Sequence, residues 1–316
     1  MIQEIHIQNF RCFEDFKVKG FDRINLIGGK NNSGKTCLLE AIACLSKDSS
    51  FEKIGQLRGQ LIHNLVYNEA KTDSLKINLV SSVRDTEEVM DIDLSSGMIN
   101  DFVFSGKILD HKIKNHRSTK KLPIHFFSQK TEEPKVDIVK SFDSLDQKLL
   151  KDKVLRIVRI VDSRIEDLRT FKSNEGLWIK TINNNYEPLS NYGDAIQNLL
   201  RYFTPILEKE LLSGDEKQFS ILLIDEIENG IHYSAHEEFW ENLLKLSQKL
   251  NVQIFATTHS REMITAFNNV TLHNGNEGTY FEMARDIDTD EIFAQKHDMS
   301  LLQYELETPK STFRGE

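Results

Sequence analysis

Residues 29–36 read GKNNSGKT, and no other stretch limits the possible folds of this chain so strongly. The spacing is G-x-x-x-x-G-K-T. It follows an apolar run at 23–27 (RINLI) that reads as a strand, and it precedes 37–45, which reads as a helix. A strand that turns through glycines into a helix start aims backbone N–H groups and the positive end of a helix dipole at an anion. The expected ligand is therefore the phosphate chain of a nucleotide. Lys35 supplies a point charge to the outer phosphates, and the Thr36 hydroxyl suits Mg²⁺. Gly29, Asn31, Asn32, Ser33, Gly34 and Cys37 are expected to complete the cradle.

Such a loop needs a second element for the metal. Residues 221–226 (ILLIDE) are four apolar residues followed by two carboxylates. A continuous apolar run reads as a strand buried on both faces of a parallel sheet. It would deliver Asp225 to the carboxyl edge, where open α/β sheets bind ligands. Asp225 is the expected Mg²⁺ partner. Glu226 is placed to polarise or orient an attacking water. Residues 252–256 (VQIFA) read as the next buried strand and run into ATTHS at 256–260. That puts His259 at the same edge, able to hydrogen-bond an outer phosphate and the attacking water. Taken singly, a strand-end carboxylate pair or a strand-end histidine is ordinary structure; the phosphate loop supplies the functional reading.

Alternation at 2–7 (IQEIHI) predicts a half-buried strand, with 16–19 pairing back on it after a short turn. Residues 75–83, 89–94, 124–127 and 177–182 also read as strands. Leu150, Val154, Ile157, Val161, Ile165 and Leu168 recur every three or four residues, which predicts one amphipathic helix. The stripe lasts about three heptads, so packing on its own lobe is favoured over a coiled-coil arm. Residues 191–212 and 234–250 read as further helices, the second with Phe239, Leu243, Leu246 and Leu250 on one face. The strand–helix–strand alternation indicates an α/β core.

Composition narrows the class. The hydrophobic fraction of 39% and charged fraction of 28% fit a soluble globular chain rather than a disordered one. No apolar run approaches the roughly 18 residues of a membrane span, and residues 1–10 lack a secretory signal pattern. Cys12, Cys37 and Cys44 form no CxxC pair, which favours a reducing cytoplasm over a disulfide scaffold. A net charge of −9 excludes coating of nucleic acid by bulk charge. Residues 107–121 nonetheless carry six Lys/Arg against one Asp, a run able to hold a phosphate backbone, although a solvated basic loop is the plainer reading. His232 and His236 have a metal-compatible spacing but no third ligand in view. Asp286, Asp288, Asp290 and Glu291 form an acidic cluster, most simply a solvated turn.

Five stretches carry a family resemblance: IHIQNFRCF at 5–13, INLIGGKNNSGKTCLLEAI at 24–42, PLSNYGDAIQNLL at 188–200, LLIDEIENGIH at 222–232 and IFATTHS at 254–260. The chain resembles the ATP-binding-cassette (ABC) ATPases of the SMC, RecF and OLD (overcoming-lysogenization-defect) type, and most closely the AAA-family ATPases of bacterial defence loci. The resemblance implies a P-loop α/β fold with a mixed, largely parallel sheet, a small antiparallel β lobe and a helical signature lobe. The boundaries it suggests are 1–48 and 215–316 for the nucleotide-binding core, 49–128 for the β lobe and 129–214 for the helical lobe, all in one domain. It implies ATP as the nucleotide, with Mg²⁺.

The same resemblance implies residue roles. Glu226 matches the catalytic glutamate and His259 the switch histidine. Ser190 and Gly193 match the signature, which contacts the γ-phosphate bound by the other subunit, and 228–232 (ENGIH) matches the segment that touches that subunit. Gln129 stands where the family's metal-contacting glutamine sits, with a solvated loop residue as its alternative. Arg11 would approach the nucleotide. The signature reads LSNYGDA rather than LSGGQ, with Ala195 where close relatives often carry Gly, and Ile227 replaces a frequent Pro.

A signature that acts on another chain's phosphate implies a homodimer closed by two ATP molecules and reopened by hydrolysis. Only 316 − 259 = 57 residues follow His259, fewer than the roughly 100 of an ordinary domain. OLD-type proteins usually carry a TOPRIM nuclease there, so the expectation is an effector, TOPRIM-type or another nuclease, on a separate chain. The leading expectation is a cytoplasmic ATPase subunit, sensing or regulating, in anti-phage defence. The alternatives are a RecF- or SMC-like repair clamp that contacts DNA, and a slow ATP-binding scaffold.

Overall fold

The computed structural model describes side chains and backbone at 1–43, 123–128, 138–148, 150–171, 176–182, 185–208, 219–275 and 277–307, and backbone alone at 74–81, 86–93, 103–108, 111–112, 174–175 and 209–213. Gln129, Cys44, most of the basic run and its Lys120 and Lys121 lie outside the described residues.

In chain order the first elements are β1 (Ile2–Phe10), β2 (Phe13–Lys19), β3 (Ile24–Gly29), α1 (Lys35–Ala43), β4 (Ser74–Ser81), β5 (Thr86–Asp93), β6 (Val103–Ile108), β7 (His111–Lys112) and β8 (Ile124–Phe127). Then come α2 (Ile138–Gln147), α3 (Lys151–Val161), β9 (Ile165–Phe171), β10 (Asn174–Thr181), β11 (Tyr186–Pro188) and α4 (Asp194–Ser213). The last are β12 (Ser220–Ile224), α5 (His236–Lys249), β13 (Val252–Thr257), α6 (Arg261–His273), β14 (Gly278–Arg285), β15 (Ile292–Lys296) and α7 (Met299–Glu307).

These elements form two compact units. One comprises Met1–Thr131, Ile221–Ile227 and Gln253–Glu316; the other comprises Glu132–Ser220 and Glu228–Val252.

The first unit holds two sheets. The central one has the order β15-β14-β3-β13-β12-β8. Strand β3 runs parallel to both β13 and β14, and β12 runs parallel to β8. Every residue of β12 and β13 is buried, as the unbroken apolar runs require of strands covered on both faces. Two buried polar side chains within the sheet, Gln253 and Asn25, are satisfied. Gln253 accepts from the Ile2 N–H at 2.7 Å and donates to the carbonyls of Ile2 and Asp22, both at 2.8 Å. Asn25 donates to the carbonyls of Asp22 and Ile254. Gln253 thereby anchors the start of β1, an element of the second sheet, to the central one. That second sheet, β2-β1-β4-β5-β6-β7, is antiparallel throughout its registered pairs. The tight β1–β2 hairpin pairs Phe10 with Phe13, as the alternation at 2–7 and 16–19 anticipates. Strands β4 and β5, also anticipated, form an antiparallel pair.

The second unit packs α2, α3, α4 and α5 with the antiparallel sheet β11-β10-β9. Here one expectation fails. The stripe from Leu150 to Leu168 is not one helix: α3 stops at Val161, and Ile165 and Leu168 belong to β9. Asp162 ends the helix in an extended conformation, φ −142° and ψ 107°. Its carboxylate accepts from the Arg164 N–H at 2.9 Å, a local bond that competes with the helical ladder. Arg159 then donates to the Ile165 carbonyl at 2.8 Å, fastening the new strand to the helix it follows. The three-residue spacing survives inside a strand because the register slips. Ile165 faces Thr181 while Asp167 faces Lys180, so one extra residue is accommodated and both apolar side chains remain buried.

Asp167 joins the pieces of this unit. Its carboxylate receives Lys151 Nζ at 2.6 Å, Arg169 Nε at 2.9 Å and the Tyr186 hydroxyl. Burial raises the pKa of this carboxyl, but the bonds from Lys151, Tyr186 and Arg169 outweigh it and hold the value at about 2.

Candidate nucleotide site

Strand β3 ends in Gly28 and Gly29, and the loop at 30–34 leads straight into α1. Two glycines are geometrically required. Gly29 has φ +132°, and a Cβ there would meet the Met283 carbonyl oxygen at 2.1 Å. Gly34 has φ +91°, and a Cβ would lie 3.0 Å from the Phe13 ring. Asn32 also takes a left-handed conformation, φ 61°, which asparagine tolerates better than most side chains. Lys35 is buried and its ammonium donates to the carbonyls of Gly29 and Lys30 at 2.8 and 2.7 Å, so it arches back over the loop. The Ser33 hydroxyl is buried within the same loop without a hydrogen-bond partner.

The edge of the central sheet brings two of the expected metal residues, Thr36 and Asp225, together. Thr36 Oγ1 donates to Asp225, at 3.1 Å from Oδ1 and 3.3 Å from Oδ2. Two further hydroxyls reach the same carboxylate. Thr257 Oγ1 donates to Oδ1 at 2.7 Å, and Ser128 Oγ to Oδ2 at 3.3 Å. A half-exposed threonine hydroxyl set against a buried carboxylate is hard-oxygen chemistry, the donor type that Mg²⁺ takes. These residues therefore fit the cation. Neither Ser128 nor Thr257 stood out in the sequence. Thr257 had a visible signal as the residue that ends β13, two before His259; Ser128 had none beyond its position after β8.

Glu226 follows Asp225 with φ 56°, a left-handed conformation that is uncommon for a residue bearing a Cβ. Its N–H donates to Thr257 Oγ1 at 2.9 Å. His259 lies two residues past β13 and is half-buried. The strand end is tied to the phosphate-loop strand where the Thr258 N–H donates to the Ile27 carbonyl at 3.0 Å. Ser260 then caps α6, accepting from the Met263 N–H at 3.1 Å.

Arg11 lies in the β1–β2 turn at φ 51°, and its Nε is 3.0 Å from Glu40 Oε2 on α1, both side chains buried. Cys12, next in the turn, shares a hydrogen bond with the Cys37 thiol. Phe13 abuts Gly34. Positions 34, 37 and 40 recur at helical spacing, so the turn lies along one face of the phosphate-loop helix. A thiol at a helix start can have a lowered pKa, but Cys37 behaves oppositely. The bond to Cys12, followed by burial, pushes it up, while the bond from Cys37 lowers Cys12. Thiolate is the reactive form. Iodoacetamide applied to the folded chain is accordingly expected to label Cys12 before Cys37 in a peptide mass-spectrometric time course; faster labelling of Cys37 contradicts this order.

In the second unit, Ser190 lies in a single 3-10 turn at 189–191 and is exposed. Gly193 is exposed at the start of α4, where its carbonyl accepts from the Ile196 N–H at 3.0 Å. The α4 N-terminus, with both signature residues, thus faces solvent within its unit.

Other sequence candidates have structural explanations. His236 bonds the Ile231 carbonyl through Nε2 and His232 bonds Ser234, and among the described residues no group of three ligating side chains is suited to a metal ion. Asp286 accepts from the N–H groups of Asp288 and Thr289, and Asp290 pairs with Arg285, so the acidic cluster is the β14–β15 turn. Among the described residues no helix is long and apolar enough to cross a membrane.

Comparison with known proteins agrees with this fold. The family model described as "AAA ATPase domain" matches residues 1–157 and 104–264. An "ATP/GTP phosphatase" of Helicobacter pylori is 24% identical over 85% of this chain and 88% of its own length. The "DNA replication and repair protein RecF" of Francisella tularensis subsp. novicida is 40% identical over 86 residues, 25% of this chain and 24% of that protein. The SMC head domain of Thermotoga maritima superposes with TM-score 0.56 at 11% identity, covering 94% of this chain and 99% of that one. An SMC head solved bound to the C-winged helix domain of ScpA superposes with TM-score 0.60, also at 11% identity, covering 95% and 99%. The fold is therefore that of the P-loop ABC-type ATPase heads, and this chain belongs to the AAA ATPase domain family and is an ATPase.

Proposed function

We propose that the chain hydrolyses ATP to ADP and phosphate with Mg²⁺, as a homodimer that ATP closes. The observation that carries this reading is the Thr36 hydroxyl set on the Asp225 carboxylate at 3.1 Å, with Glu226 as the next residue. Backbone N–H groups of 29–36 and the Lys35 ammonium hold the phosphate chain. Thr36, Asp225 and Gln129 hold the cation. Bound there, Mg²⁺ neutralises charge on the phosphate oxygens. Glu226 accepts a proton from, or orients, the attacking water, and His259 hydrogen-bonds the outer phosphate. Arg11, paired with Glu40, approaches the nucleotide from the β1–β2 turn. Ser190 and Gly193, exposed at the start of α4, bind the γ-phosphate held by the second copy.

In this reading the dimer is the sensor or regulatory subunit of a bacterial anti-phage defence system, and a separate nuclease is its effector. The resemblance to defence-locus ATPases supports that role. The local identity to RecF favours a second reading, a DNA-repair clamp in the cytoplasm.

The test is affinity capture of tagged Glu226→Gln from its native locus in ATP and Mg²⁺, with mass spectrometry and light scattering of the captured species. An ATP-dependent dimer carrying a stoichiometric nuclease is the expected result. A dimer carrying nucleic acid alone would transfer support to the clamp. A species that stays monomeric in ATP would overturn the signature assignment.

A further inference from the structure

Thr257 touches all three residues that follow β12. Its hydroxyl donates to Asp225 Oδ1 at 2.7 Å and accepts the Glu226 N–H at 2.9 Å, and its carbonyl accepts the Ile227 N–H at 3.0 Å. The side chain is 1% exposed, so water offers these groups no alternative partner. A hydroxyl carries one proton and spare lone pairs. Here the proton goes to the carboxylate, leaving oxygen free to accept. The hydroxyl thus fixes the Asp225 carboxylate on one side and the left-handed Glu226 backbone on the other. From the same strand end, two residues on, comes His259.

We infer that Thr257 is a positioning residue for hydrolysis, orienting Asp225 toward the cation and Glu226 toward the water through one shared hydroxyl. This deepens the ATPase mechanism above and rests on its assignments of Asp225 and Glu226. The inference has a steric side: valine matches threonine in shape but has no hydroxyl, so Thr257→Val keeps the strand packing and the carbonyl bond while removing both side-chain bonds. Partners that hold metal-ligating carboxylates commonly matter at the level of about 10- to 100-fold in metal affinity or activity. The part-buried Glu226 N–H would lose its partner and Asp225 Oδ1 would keep only the longer bond from Thr36, so both groups are expected to shift.

The experiment compares wild type, Thr257→Val, Thr257→Ser and Glu226→Gln in three measurements: thermal melting, fluorescent-ATP affinity with and without Mg²⁺, and turnover. For Thr257→Val the expected result is a folded protein with unchanged metal-free ATP affinity. The gain in affinity on adding Mg²⁺ falls about 10-fold, and kcat falls more than KM rises, by about 10- to 100-fold. Thr257→Ser, which keeps the hydroxyl, restores both. Wild-type Mg²⁺ dependence and kcat in Thr257→Val would overturn the inference while Glu226→Gln stays inactive. Full turnover in Glu226→Gln would instead strike the catalytic assignment beneath it. A Thr257→Ser variant as impaired as Thr257→Val would show that packing, not the hydroxyl, matters, and would also overturn it.

Discussion

Glu226→Gln is expected to bind ATP as the wild type does and to turn it over roughly 10²- to 10⁴-fold more slowly, the range typical of a lost general base. The amide keeps the side chain's shape and leaves the Glu226 N–H on Thr257, so the left-handed backbone at φ 56° is undisturbed. What disappears is a proton acceptor beside Asp225. Lost turnover with retained affinity isolates an interaction made in the transition state. Phosphate release under saturating ATP, paired with equilibrium binding, is the measurement. Turnover within a few-fold of wild type would refute the catalytic role of this residue.

Lys35→Ala is expected to weaken ATP binding by at least about 100-fold, since hydrogen bonds to charged groups are worth roughly 1.5–3 kcal/mol each and a bound phosphate chain would draw the donors of this ammonium from the loop carbonyls. The side chain is buried, and its two present bonds are to the Gly29 and Lys30 carbonyls. Truncation leaves those carbonyls short of a donor, so a modest loss of thermal stability accompanies the loss of binding. Calorimetric titration with ATP checks the first effect and a melt without nucleotide checks the second. Near-native affinity would place the phosphates somewhere other than this loop.

The legible parts of the site were those encoded by short spacing. GKNNSGKT and ILLIDE each combine a strand pattern with a loop chemistry, so a local reading predicts both, and the structure sets Thr36 against Asp225 although they lie 189 residues apart. Ser128 has no signal beyond its place after a strand, and Thr257 only that it ends the strand before His259; neither marks its hydroxyl as a partner of Asp225. Their importance arises from the carboxylate they share, a property of two neighbouring strands. The failed reading at 162–168 has the same origin. Apolar residues three apart satisfy a helix, and they also satisfy a strand containing an extra residue. Only the pairing of Asp167 with Lys180 and of Ile165 with Thr181 distinguishes the two.

The tail after His259 shows the division most plainly. Read linearly, it offered an acidic cluster and little else. Folded, it supplies α6, places β14 parallel to β3 with Gly278 opposite Ile24, and adds β15 to the sheet edge. The central strand that carries the phosphate loop is therefore flanked on both sides by strands from the far end of the chain, β13 and β14, a pairing that no local pattern reports. Sequence by itself determined the α/β class, the phosphate loop, the acidic strand end and most strand positions, because hydrophobic period and loop glycines act over a few residues. Tertiary structure alone decided strand order, the hydroxyls gathered on Asp225, the turn at 11–13 along α1 and the helix-to-strand switch after Val161, because hydrogen-bond partners and burial are set by what the chain meets when it returns.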